Sequence, residues 1–217
     1  MAEAALYLWR HPRPIGAAGR CIGRTDLAVD PRRARRLAHR IRQHARRHGL
    51  PREIVTSPLR RCAAVGRWLR RWGWTHRVDA RLIELDFGAW DGRHWPDIAF
   101  AEVSAWEADF ADHAPGGGES LQQLRVRVAA YLADLAAAGR PVLAVGHAGW
   151  MNALALLDTP TLTAAQWPAA PRHATLRVCT VSRSGTPTVR LPLPCAASDP
   201  EPDLDTDPSG RPCSAPC

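Results

Sequence analysis

Two short runs, far apart in the chain, each end an apolar stretch on a histidine: Ala5-Leu-Tyr-Leu-Trp-Arg10-His11-Pro12 and Pro141-Val-Leu-Ala-Val-Gly146-His147-Ala-Gly149. The carboxyl ends of strands in an open α/β sheet face the crevice where ligands bind, so both imidazoles are expected at one place. A third strand, Glu53-Ile-Val-Thr-Ser57, feeds into Pro58-Leu59-Arg60-Arg61, which supplies two guanidinium groups. Two histidines and two or three arginines converging on one point describe a site for a phosphate. A neutral imidazole attacks phosphorus when cations hold the non-bridging oxygens, and the planar arginine fork meets those oxygens in pairs. A phosphoester also needs its leaving oxygen protonated. The turn-rich stretch Leu82-Ile-Glu84-Leu-Asp86-Phe-Gly88-Ala-Trp90-Asp91-Gly92 offers carboxylates for that task, although each would serve equally as a loop cap or a surface charge.

The elements that must position these groups alternate between strand and helix patterns, which predicts a three-layer α/β/α sandwich around a mostly parallel sheet. After the strand at 5–10 comes a Gly/Arg-rich loop (11–30). A helix over 31–48 follows, with Ala34, Leu37, Ala38, Ile41, Ala45 and His48 on one stripe. Ser57-Pro58 reads as the opening of the next helix, a side-chain cap followed by proline in the first turn, whose apolar face holds Cys62, Val65, Leu69 and Trp72. Arg61 then falls near the positive end of that helix, where an anion is favoured. Residues 94–118 break the pattern with Trp95, Phe100, Trp106 and Phe110 ahead of Pro115-Gly-Gly-Gly118, and are expected to form a lid. Ser120-Leu-Gln-Gln123 is a capping box, followed by the stripe Leu121, Leu124, Val128, Tyr131, Leu132 and Leu135. The runs 175–181 and 186–193 read as a hairpin at the sheet edge. Residues 1–194 are thus expected to be one catalytic domain, and residues 195–217, rich in Pro, Ser, Asp and Cys with almost no apolar side chain, a disordered acidic tail.

The 217 residues carry 29 basic and 21 acidic side chains for a net charge of +8, and every basic one is arginine. Nucleic acid is the first partner such a balance suggests, but the arginines of 31–48 lie on the outward face of an amphipathic helix. The aromatic residues also do not alternate with them as a base-stacking platform requires. A small phosphorylated molecule is the expected partner, with no nucleic acid, no membrane and no oligomeric state implied. The six cysteines form no CxxC pair, which argues against zinc. No run reaches the length of a membrane span or resembles a secretory signal, so a cytoplasmic protein with free thiols is expected.

The ordered blocks Leu8-Trp-Arg10-His11-Pro12, Gly23-Arg-Thr-Asp26, Ser57-Pro-Leu-Arg-Arg61, Glu84-Leu-Asp-Phe-Gly88-Ala-Trp90-Asp-Gly92, Pro115-Gly-Gly-Gly-Glu119-Ser120 and Gly146-His147-Ala-Gly149 resemble the histidine phosphatase superfamily, the phosphoglycerate-mutase-like phosphatases. Within it, Arg10-His-Pro-Arg13-Pro14 and Cys21-Ile-Gly-Arg-Thr-Asp26 are most similar to the α-ribazole phosphatase branch. The resemblance implies His11 as the phosphohistidine, with Arg10 and Arg61 clamping the phosphoryl group. It implies His147 as a further phosphate donor and Glu84 as general acid, and no cofactor or metal. Cleavage of α-ribazole 5′-phosphate in cobalamin assembly is the activity it implies first. Phosphoglycerate mutase, with the same catalytic set, is the alternative; a basic anion- or RNA-binding module without catalysis is an alternative of another class. Three features depart from the family pattern: Pro12 stands where glycine is usual, Ala148 replaces a common glycine, and the Thr and Asn that often follow the first motif are missing.

Overall fold

The computed structural model describes residues 4–181 and the strand pair-forming residues 187–188. Six strands form one sheet: β1 (Ala4–Arg10), β2 (Glu53–Thr56), β3 (Thr75–Val78), β4 (Val142–Gly146), β5 (Leu176–Val181) and β6 (Pro187–Thr188), in the order β3-β2-β4-β1-β5-β6. The first four are mutually parallel, β5 runs antiparallel to β1 and β6 antiparallel to β5, which keeps the sheet mostly parallel as expected of the sandwich. β3 has no counterpart in the sequence reading: Thr-His-Arg-Val is short, polar and half-exposed, as an edge strand can be.

Both faces of the sheet are covered, and the strand alternation assigns side chains to each. Leu6 and Leu8 of β1 and Ala144 of β4 join the core built by α4 (Leu121–Ala138) and α5 (Ala148–Ala155). Trp9, Leu143 and Val145 point the other way, to α1 (Pro31–Arg47) and α2 (Arg60–Arg71). Each fully buried leucine or isoleucine in these layers contributes roughly 1.5–3 kcal/mol. α1 is capped by the Asp30 carboxylate on the Arg32 amide and buries Ala34, Leu37, Ala38, Ile41 and Ala45, whereas His48 is its exposed C-cap rather than part of the stripe. α4 opens on the expected reciprocal Ser120/Gln123 box and closes on Gly139 in the left-handed region (φ 60°).

Two expectations are corrected. α2 begins at Arg60, and Ser57 is not its cap. The Ser57 amide continues the strand by bonding the Val145 carbonyl, and the first-turn amide of Arg60 is met instead by the Asp26 carboxylate at 2.6 Å. Residues 94–118 are not an open lid, because they contain α3 (Phe100–Ala108) and pack down onto the core. Trp106 and Phe110 are buried with rings 5.0 Å apart, Trp95 packs edge-on to Phe87, and Phe100 alone stands in solvent. The turn at 115–118 closes on 86–90 so tightly that a Cβ on Gly88 would lie 2.2 Å from the Gly116 carbonyl oxygen. The tail 195–217 and most of the second hairpin run lie outside the described residues, as do Cys195, Cys213 and Cys217. Cys21, Cys62 and Cys179 are buried thiols outside any disulfide. Among the described residues no helix is long and apolar enough to cross a membrane.

Candidate active site

β1 and β4 are parallel neighbours with Arg10 opposite Gly146, so the residues that follow each strand, His11 and His147, emerge side by side. The His11 amide bonds the Gly146 carbonyl at 3.0 Å, and the two rings lie 5.0 Å apart. A cavity of about 280 Å³ opens over them, lined by Arg10, His11, Arg13, Arg20, Arg61, Glu84 and His173 on its polar side and by Phe87, Trp106, Leu121 and Trp167 on its apolar side.

His11 is buried, and its Nδ1 lies 2.7 Å from the carbonyl oxygen of Pro12. A carbonyl only accepts, so Nδ1 carries the proton and Nε2 keeps its lone pair. Pro12 lacks an amide donor but retains this oxygen, so the departure at that position leaves the orientation of the histidine intact. Burial first, then the charges of Arg61 and Arg10 and the neighbouring His173, hold the His11 pKa well below its usual value, which keeps the ring neutral.

Arg61 is fully buried. Its Nη1 donates to the Thr25 carbonyl at 2.7 Å, its Nη2 to the Gly23 carbonyl and its Nε to Nδ1 of His147 at 3.3 Å. One N–H on each terminal nitrogen is left to meet an anion. Because Arg61 always donates, His147 must be protonated at Nε2, and that N–H points to the Ser57 hydroxyl at 2.8 Å. His147 is fully buried, neutral for the same reasons as His11, and not part of the cavity wall. Arg60, by contrast, is exposed and borders a different cleft. Arg10 reaches the cavity while its Nη1 donates to the Pro171 carbonyl.

Glu84 is buried at the N-terminus of α5. Its Oε2 accepts from the Gly149 amide at 3.0 Å, and its Oε1 from the amides of Trp150 at 3.1 Å and Leu85 at 3.0 Å. A Cβ on Gly149 would lie 2.6 Å from Oε1, so the glycine makes room for the carboxylate.

Four supporting residues were not assigned a role at the site from the sequence. Ser57 orients His147. Asp91 accepts from the amides of Gly23, Arg24 and Thr25 and from the Thr25 hydroxyl, folding the loop whose carbonyls grip Arg61. Arg127 on α4 binds the carbonyls of Arg81 and Ile83 and the carboxylate of Glu119, bracing the backbone that leads to Glu84. His173, before β5, stands 5.3 Å ring to ring from His11. Of the four aromatics expected in a lid, Trp106 alone lines the cavity. Among the described residues no group of three or more His, Cys, Asp or Glu side chains is placed to hold a metal ion.

Residues 6–191 match the sequence profile of the histidine phosphatase superfamily, branch 1. A probable phosphoglycerate mutase, GpmB, of Klebsiella pneumoniae is 33% identical over 189 residues, covering 82% of this chain and 83% of the relative. The solved structure of a mycobacterial glucosyl-3-phosphoglycerate phosphatase in complex with VO3 superposes with a TM-score of 0.72 at 26% identity, over 87% of this chain and 97% of that one. An α-ribazole phosphatase from Shigella flexneri shares the fold, with a TM-score of 0.66 at 22% identity over 86% and 95% of the two chains.

Proposed function

The chain belongs to the histidine phosphatase superfamily, and from that premise we propose that it is a phosphomonoesterase acting through a phosphohistidine at His11. The observation that carries this reading is the fixed tautomer of His11. With Nδ1–H tied to Pro12, the Nε2 lone pair belongs to a neutral, buried ring in a cavity that also holds Arg10, Arg61 and Glu84. Nε2 attacks phosphorus while Arg10 and Arg61 hold the non-bridging oxygens and take up their charge. Glu84 protonates the departing oxygen and then removes a proton from the water that cleaves the phosphohistidine. His147 acts as a positioning residue, orienting Arg61 through Nδ1 and packing its ring 5.0 Å from that of His11.

The cavity wall supports a substrate class. Beyond the phosphoryl end it presents Ile22, Phe87, Trp106, Leu121 and Trp167, surfaces that stack with a flat apolar leaving group. α-Ribazole 5′-phosphate, with its benzimidazole ring, fits that description. A specific observation nevertheless favours the mutase as a second reading. Arg13 and Arg20 also line the cavity, where they could hold a carboxylate.

The test is hydrolysis in EDTA of p-nitrophenyl phosphate, α-ribazole 5′-phosphate and glucosyl-3-phosphoglycerate, alongside interconversion of 3- and 2-phosphoglycerate. His11→Asn is expected to abolish turnover and the acid-labile phosphoprotein trapped from a labelled substrate. Glu84→Gln is expected to slow turnover by about 10²–10⁴-fold. Phosphoglycerate interconversion faster than hydrolysis would replace the phosphatase with the mutase. Turnover that survives His11→Asn would overturn both.

A further inference from the structure

The only asparagine of the chain, Asn152, is fully buried on α5. It lies one helical turn beyond Ala148, a cavity-lining residue, but is not itself part of the cavity wall. Its Nδ2 donates to the Pro168 carbonyl at 2.8 Å, while its Oδ1 is buried and accepts no hydrogen bond. Burying an unpaired amide oxygen is destabilising, so packing alone would be better served by an apolar side chain of similar volume. Only the donor half of the amide is used, and the residue it holds adjoins Trp167.

Trp167 sits where such a tether matters. It belongs to the connection between α5 and β5, whose regular structure is one short 3₁₀ turn, Ala164–Gln166. The Trp167 amide closes that turn on the Ala164 carbonyl at 3.1 Å. Next in the chain, Pro168 has no N–H, and among the described residues the Asn152 donation is the only hydrogen bond to the backbone of residues 168–170. Arg10 then catches the chain at the Pro171 carbonyl. The Trp167 ring lines the cavity and meets Phe110 edge-on, with centroids 5.8 Å apart and planes at 71°. Phe110 in turn packs on Trp106, which is also in the cavity wall. Trp167 is therefore the end member of an aromatic run whose other rings sit on or just after α3.

We propose that Asn152 is a positioning residue for substrate selectivity: by holding the Pro168 carbonyl it fixes Trp167 in the apolar wall, where the indole favours a flat aromatic leaving group over one without a ring. A wall set in place beforehand spares the substrate the cost of ordering it. The inference rests on the reading of this cavity as the phosphoryl site and concerns its apolar side. The phosphoryl side has its own supports, the Pro12 carbonyl for His11, the loop carbonyls for Arg61 and the backbone amides for Glu84, and none of them uses the Asn152 side chain.

The test is the kinetics of p-nitrophenyl phosphate hydrolysis, with inorganic phosphate as a competitive inhibitor that reports on the phosphoryl side alone. Asn152→Leu keeps the volume and removes the donor. It is expected to raise the KM for p-nitrophenyl phosphate by about three- to tenfold, with kcat and the inhibition constant of phosphate changed by less than about twofold. Asn152→Ala, which removes the donor without adding branched bulk, is expected to give the same split. Trp167→Ala is expected to raise the KM at least as much, and adding Asn152→Leu to it to cause no further rise, because the amide acts through the indole. An unchanged KM in both Asn152 variants, or KM effects that multiply in the double variant, would overturn the proposal. So would a joint fall in kcat and phosphate affinity, which would make Asn152 a general support of the fold. If the wild type bound no phosphate and hydrolysed no ester, the reading of the site would fall, and this inference with it.

Discussion

Arg61 reaches the cavity with three of its N–H groups already committed, two to the loop carbonyls of Gly23 and Thr25 and one to His147. Its rotamer is therefore set before a ligand arrives, and the ordering of a long side chain, which ordinarily subtracts up to about 2 kcal/mol, is already complete. The two histidines carry a different consequence. His11 and His147 are neutral in the fold because burial and then the neighbouring arginines disfavour a charge, whereas in the unfolded chain each titrates near its ordinary value. Below that value the unfolded state binds more protons than the native one, so stability is complete at neutral and alkaline pH and declines as pH falls through about 6.5. The slope approaches about 1.4 kcal/mol per pH unit for each histidine. Chemical denaturation between pH 7.5 and 5 is expected to show this loss, and His11→Asn, which does not titrate, is expected to reduce it by the share of one group.

At the scale of elements, the site depends on one helix end. α5 presents the amides of Gly149 and Trp150 to Glu84, and the missing side chain at position 149 is what lets the carboxylate approach them. Gly149→Ala improves helix propensity by up to about 1 kcal/mol but drives a methyl group into the Glu84 carboxylate. Its expected outcome is a kcat lowered at least tenfold with the KM for p-nitrophenyl phosphate little changed and the melting temperature within a few degrees of wild type. An unchanged kcat would mean that Glu84 does not need its present seat. The strands that bear the histidines were legible in the sequence because apolar runs ending in Arg10-His11 and Gly146-His147 carry their own pattern, and the Ser120/Gln123 box marked α4 for the same local reason. Arg61 was separable from Arg60 only through the family resemblance, and the structure buries Arg61 while leaving Arg60 exposed. The rest is long-range. Ser57 looks like a helix cap until β2 and β4 bring its hydroxyl to His147, Asp91 like a surface acid until the loop 23–25 wraps it, and His173 like any other histidine until β5 pairs with β1.

Across the whole molecule, chemistry and charge are segregated. The proposed phosphoryl site occupies the carboxyl ends of β1 and β4, while the exposed arginines crowd the α1/α2 layer. There Arg35 and Arg71 bracket the Trp68 ring and Arg42 stacks on Trp72, so those indole faces are covered by guanidinium groups. A larger cavity of about 480 Å³ on that side, lined by Arg42, Arg46, Arg52, Trp72 and Trp74, lies away from both active-site histidines. The register that sets Arg10 against Gly146 ties the amino-terminal strand to one formed near the end of the domain, with β2 on the far side of β4. Non-local pairings of this kind are the slow events of folding. The juxtaposition of His11 and His147 therefore does not exist in any folding intermediate that has closed its helices but has not yet docked β1 beside β4. On dilution from denaturant, helical circular dichroism is expected to return before the proposed phosphoester turnover, and turnover together with protection of the β1 amides from exchange. Catalysis in this chain is then a clock for the completion of its sheet, and a nascent polypeptide stays inert until β4 has been synthesised.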